Sequence, residues 1–210
     1  MTTPRRGAAA FAAAVTLTLV LAACGDATTS DSSAGAPTAA AEVTEAHNDA
    51  DITFAQGMIP HHQQAVMMSE MAEGRTDNAD VLELSGEISA AQEPEIQTMT
   101  AFLEAWGAGG PMDGMDHSTM DADDMAAMPG MEGMSGMMTP QQMSDLEAAE
   151  GPDFDRMFLQ LMIEHHEGAV EMATTQLDDG ENPDARALAE EIIQAQESEI
   201  ARMQDLLAGS

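Results

Sequence analysis

The chain has no tyrosine, one tryptophan and one cysteine among its 210 residues. It also has no lysine: the six basic residues are all arginine, against 38 Asp and Glu, for a formal net charge of −32. A surface so poor in cations cannot displace the counterions of a nucleic acid, so phosphate-backbone binders are excluded and cations are the natural partners. With aromatics at 3% of the chain, a core must be built from Leu, Ile, Val, Ala, Met and a few Phe. That palette suits helices better than sheets, and an all-α protein is expected. No Ser/His/Asp or Cys/His arrangement, no flavin motif and no mark of an organic substrate pocket is present. A binding protein rather than an enzyme is expected.

The N-terminus carries Arg5 and Arg6, then an apolar run from Ala8 to Ala23 that ends in Leu21-Ala22-Ala23-Cys24. The run is short and alanine-rich for a membrane span and reads as a signal peptide over residues 1–23. It resembles a bacterial lipoprotein signal, in which the cysteine after the cleavage point is lipidated, so Cys24 is expected to be a membrane anchor. The expected location is the extracytoplasmic face of the bacterial cell membrane. Residues 24–47, rich in Ala, Ser, Thr, Asp, Gly and Pro, offer almost nothing to bury and are expected to be a flexible tether.

Two stretches, "GMIPHHQQAVMM" from Gly57 and "LMIEHHEGAVEM" from Leu161, set adjacent histidines among methionines. Aligning His61–His62 with His165–His166 brings residues 51–103 onto 155–207 without a gap, with 22 of 53 positions identical. The chain is an internal duplication. Each copy has helical periodicity in two segments, about Asp51 to Gly74 and Val81 to Trp106 in the first, with a polar turn between. The second copy repeats this, with Pro183 in the first turn of its second helix. A single hairpin cannot bury its apolar face, so two are expected to pack as a four-helix bundle, one from residues 48–106 and one within 139–210. Pro60 removes a backbone hydrogen bond and should bend its helix just before the histidines.

Between the copies, residues 107–138 form a linker rich in Met, Gly, Pro and Asp that should not fold alone. The segment from Gly107 to Met143 holds ten of the twenty methionines. Thr139-Pro140-Gln141-Gln142 reads as the cap and first turn of a short helix to about Glu150.

On a helical wheel, Met58, His62, Ala65 and Ser69 share the centre of the apolar arc, and His61 lies at its edge beside Met68. The duplicate places Met162, His166, Ala169 and Ala173 in the same way, with His165 beside Met172. A buried imidazole needs a partner, since an unpaired polar group costs on the order of 1 to 3 kcal/mol. The second helices offer Gln92 and Glu95, and Gln196 and Glu199, inside their own apolar arcs. Two readings follow: Glu–His pairs that fix helix register, or a metal site in which His and Met ligate while Glu or Gln orients the imidazole from behind. Thioether sulfur is a poor ligand for Ca, Mg or Zn and a good one for Cu(I), which makes copper the first choice and Cu(I) the favoured state. Zinc, which His-His with Glu could hold, is the lesser alternative. A ferritin-type di-iron centre needs Glu-x-x-His, which occurs nowhere in the chain. In the linker, Met112, Met115, His117 and Met120 lie in a segment with no packing need for methionine, and "MDHSTM" resembles the Met-rich stretches of periplasmic copper-resistance proteins. A sacrificial oxidant trap is the alternative there.

"FAQGMIPHHQQAVMMSEMA" and "FLQLMIEHHEGAVEMA", each followed by a helix containing "AQ-x-x-EI-x-x-M", resemble the bacterial secreted family catalogued as domain of unknown function 305, over about residues 49–207. The resemblance implies a ferritin-like four-helix bundle. It also implies copper binding outside the cytoplasm by Met58, His61, His62, Met162, His165 and His166. Copy one has Pro60 and Gln64 where copy two has Glu164 and Gly168, so the two halves need not be equivalent. The expected function is a membrane-anchored copper-sequestering or handover protein in metal tolerance. A structural or interaction lipoprotein with packing-only His–Glu pairs is the alternative, and redox activity such as cuprous oxidation stays open.

Overall fold

In a computed structural model, residues 44–109 and 134–209 are described. They form α1 (Asp49–Glu70), α2 (Ala79–Ala105), α3 (Pro140–Ala148), α4 (Gly151–Asp179) and α5 (Pro183–Gly209), with no strand among the described residues. The expected leader, Cys24, most of the tether and the linker residues Met112, Met115, His117 and Met120 lie outside the described residues. No described helix is long and apolar enough to cross a membrane.

The chain starts and stops its helices with local chemistry. Asn48 caps α1 in a capping box with Asp51, and Thr139 caps α3 in another with Gln142. Pro140 and Pro183 occupy first helical positions, where the missing N–H has no partner to lose. Asn182 receives the Asp184 and Ala185 N–H groups at the start of α5. Both α1 and α2 run on through their internal prolines, Pro60 and Pro94.

Helices α1 and α2 form one hairpin and α4 and α5 the other; α1 lies against α4 as the main seam between them. The two run antiparallel, since Asp51 near the start of α1 meets Gln176 near the end of α4. Two apolar clusters fill the bundle. One joins Ala65 and Met68 of α1 and Leu84 and Ile88 of α2 to Phe154, Phe158 and Met162 of α4 and Met203 of α5. The other joins Phe54 and Met58 to Met99, Phe102, Ala169 and Ile192. All four long helices therefore pass from one cluster to the other, and the residues at each passage are the polar ones: His61 and His62, Gln92 and Glu95, His165 and His166, Gln196 and Glu199. The core is two apolar halves around a polar middle layer.

The segments flanking the bundle are attached to it. Residues 44–47, expected in the tether, lie on the second helix: the Trp106 indole N–H donates to the Thr44 carbonyl and His47 stacks on Trp106 at 4.9 Å. Residues 134–138, expected in the linker, form a strap across α1 and α4, with Met138 buried.

Candidate metal centre

The four histidines of the duplicated motifs are completely buried. His62 gives its Nε2–H to Glu95 Oε2 at 2.7 Å, and His166 does the same to Glu199 at 2.7 Å. The duplication has thus built the same His–carboxylate pair twice. A neutral ring whose Nε2–H is given away carries its lone pair on Nδ1, and the Nδ1 atoms of His62 and His166 are buried without a hydrogen-bond partner.

His61 and His165 meet across the α1–α4 seam, ring centroids 3.8 Å apart and planes at 40°. The wheel put His61 at the edge of the apolar arc, whereas the structure seals it fully. The reason is that α1 packs on two helices at once, α2 of its own hairpin and α4 of the other, so its buried surface is wider than one arc. His61 Nε2–H donates to the Ser135 carbonyl at 3.1 Å, leaving its buried Nδ1 unpaired. Neither nitrogen of His165 meets a hydrogen bond of good geometry. Burial, reinforced by neighbouring His62, pushes the His61 imidazole down to about 3, although the Ser135 carbonyl pulls the other way. Burial and then the neighbouring histidines hold His165 well below the usual value. Both rings are neutral near pH 7 and can offer lone pairs.

Gln92 and Gln196 lie in the same layer, 2% exposed, with both amide atoms unpaired. An orphaned buried polar group costs roughly 1 to 3 kcal/mol, so a layer with this many would be a poor choice for a purely structural core.

The methionines divide differently from the expectation. Met58 and Met162, each one turn from an inward histidine, are fully buried in opposite apolar clusters. Met68 is fully buried beside Met162, whereas Met172 is only half-buried. Among the described residues, no group of three or more His, Cys, Asp or Glu is placed to hold a metal ion by itself. An ion bound in this layer would need a thioether or amide oxygen, or a small side-chain movement, to complete its ligands. That fits a low-coordinate soft ion better than tetrahedral zinc.

Several contributors were not visible in the sequence. Gln64 grips Met138 with both ends of its amide: the side-chain N–H donates to the Met138 carbonyl at 3.0 Å and the Met138 N–H donates to the amide oxygen at 2.7 Å. Its repeat counterpart, Gly168, lies under the other end of the strap, where a Cβ would stand 2.2 Å from the Ser135 oxygen. Ser135 also bonds Glu171 through its hydroxyl. The Gln64/Gly168 difference between copies was the one available signal, and the strap explains it.

Fold and site together define a class: a duplicated-hairpin four-helix bundle with a histidine-lined middle layer. The chain belongs to the family described as Domain of unknown function (DUF305), whose profile matches residues 51–207. A DUF305 protein from Streptomyces coelicolor, described as secreted, is 34% identical with a TM-score of 0.64, covering 76% of this chain and 93% of that one. A DUF305 fragment from Deinococcus radiodurans is 28% identical with a TM-score of 0.63, covering 78% and 98%. CopM in its Cu(II)-bound form is 30% identical with a TM-score of 0.61, covering 76% and 96%, and CopM has also been solved with Cu(I) and with Ag bound. Among curated proteins, none matches the chain.

Proposed function

We propose that this chain is a membrane-anchored, extracytoplasmic copper-binding protein that sequesters copper or hands it on, and that it is a binder rather than a catalyst. One observation carries the reading: four buried imidazoles converge in one layer, two oriented by carboxylates on Nε2, with the Nδ1 atoms of all four unpaired. A carboxylate that holds the far nitrogen of a ligating histidine fixes its tautomer and raises its basicity. CopM, a similar bundle solved with Cu(I), Cu(II) and Ag, supports copper as the ion. The lipoprotein-like leader supports anchoring through Cys24, and the acidic surface would raise the local concentration of cations. Packing-only His–Glu pairs would account for two hydrogen bonds but not for His61 set against His165 at 3.8 Å or for the orphaned nitrogens.

The test is an anaerobic titration of Cu(I) against a chromophoric chelator. The wild type should compete for the ion, and His62→Ala/His166→Ala should weaken the core site by at least about 100-fold, beyond the roughly 10- to 100-fold that loss of an outer support costs. Deletion of residues 110–133, which spares the strap, should lower stoichiometry and leave the core site. Failure of every form to compete would favour the packing role, and oxygen consumption on adding Cu(I) would favour an oxidase.

A further inference from the structure

Gly57 lies one helical turn before His61, and a Cβ built there would meet Met172 Cε at 3.0 Å and Met134 Cε at 3.3 Å. Two thioether arms, one from α4 and one from the strap, thus end on a single spot of α1 backbone that glycine leaves bare. Met134 directly precedes Ser135, whose carbonyl takes the His61 Nε2–H at 3.1 Å, so the strap brings this sulfur and that imidazole to the same part of the bundle. Both methionines and Gly57 are half-buried, whereas His61 is sealed.

The duplication supplies an internal comparison. The counterparts of Gly57 and Met172 are Leu161 and Met68. There the leucine side chain fills the glycine's place, 8% exposed, and Met68 is fully buried in an apolar cluster with Met138 and Met162. In that half the thioethers are core filling, a common use of methionine. In the other half the same methionine reaches the surface, gains a second thioether from outside the repeat and faces no side chain at position 57.

We propose that Met134 and Met172, over Gly57 and beside His61, form a one-sided port for a soft monovalent ion, Cu(I) or Ag(I), leading into the histidine layer. Two thioethers with an imidazole behind them select soft monovalent ions over Ca, Mg or Zn. The port gives the pseudo-symmetric centre a solvent-facing approach on one side, where the described strap begins at Met134. This inference rests on the copper-binding reading above.

The experiment uses redox-inert Ag(I) with the full chain carrying Cys24→Ser, so that the thiol does not compete, labelled with 13C at methionine methyls and histidine rings. Substoichiometric Ag(I) should shift the Met134 and Met172 methyl signals and leave Met68 unmoved. Met134→Leu and Met172→Leu should each weaken Ag(I) binding at this site by about tenfold or more, comparable to losing a support of a metal site. Met68→Leu should have no such effect. Gly57→Ala should also weaken binding, because its methyl displaces two flexible arm ends while helical content, followed by circular dichroism, is kept. If the histidine signals move and those of Met134 and Met172 do not, the port is refuted and the copper-binding reading stands. If none of them moves, both are refuted.

Discussion

Asp51→Ala should cost about 3 to 4 kcal/mol of stability, because hydrogen bonds to charged groups contribute roughly 1.5 to 3 kcal/mol each and orphaned donors add a penalty. At roughly 2 to 4 °C per kcal/mol for a chain of this size, the melting temperature should fall by roughly 10 °C. The Asp51 carboxylate is sealed from solvent and accepts from the Asn48 N–H at 2.8 Å, the Gln176 side chain at 2.5 Å, and the backbone N–H groups of Glu181 and Asn182. It completes the cap of α1 and at the same time ties that cap to α4 and to the turn before α5, so one side chain joins the two hairpins. The repeat counterpart is an internal control. Asp155 is half-buried and, among the described residues, accepts from the Asn78 side chain alone, so Asp155→Ala should cost less than about 1 kcal/mol, as for a lone partly exposed hydrogen bond.

The same carboxylate makes stability depend on acid. Burial alone would raise its pKa, but the bonds from Asn48, Gln176, Asn182 and Glu181 outweigh it and hold Asp51 below the usual 3.8. A depressed folded-state pKa stabilises the protein in full above the unfolded value and loses that contribution as the pH falls through the folded one. The stability gap between wild type and Asp51→Asn should therefore be level above about pH 5, where an unfolded Asp is already ionised, and narrow as the pH drops below the ordinary carboxylate range. Urea unfolding at a series of pH values reads this directly, and a gap that widened in acid would contradict the assignment.

Much of this architecture was legible because duplication amplifies weak signals. The two His-His motifs, the inward Gln and Glu on the partner helices and the two hairpins each occur twice at one register, and Glu95 and Glu199 meet His62 and His166 as that register implied. The caps at Thr139 and Pro183 were equally local and equally readable. What periodicity cannot carry is the contact between repeats. A wheel treats one helix against one partner, so it set His61 at an edge that α4 in fact covers. It also gave Met68 and Met172 equal standing, although only the core of one half closes over its methionine. Composition likewise put residues 134–138 in a linker, because a strap held by backbone groups and two glycines has no apolar pattern to show. The wider role of Asp51 was unreadable for a similar reason, since its partners other than Asn48 lie 125 to 131 residues away.

Gly168→Ala should lift the strap. The new Cβ would stand 2.2 Å from the Ser135 oxygen, 2.5 Å from its carbon and 2.6 Å from the Gly136 Cα, all backbone atoms that cannot rotate aside. Gly136 has no room to give in return: its own Cβ position is 2.8 Å from Glu164 and His165 oxygens and from Gly168, and its φ of 78° is one that side-chain-bearing residues seldom adopt. Overpacking of this kind costs typically about 1 to 3 kcal/mol. Displacing the strap adds to it, because Gln64 would lose both bonds to Met138 and His61 its bond to Ser135. The Met138 amide, now held by Gln64 at 2.7 Å, should exchange with solvent at least about 100-fold faster, in line with a local opening made easier by a few kcal/mol. Gln64→Ala should release the same amide and leave the Gly136–Gly168 contact in place, which separates loss of the clamp from steric ejection. Unchanged Met138 protection in Gly168→Ala would mean that the strap tolerates a methyl group beneath it, and the close backbone approach would then not be what holds His61 to Ser135.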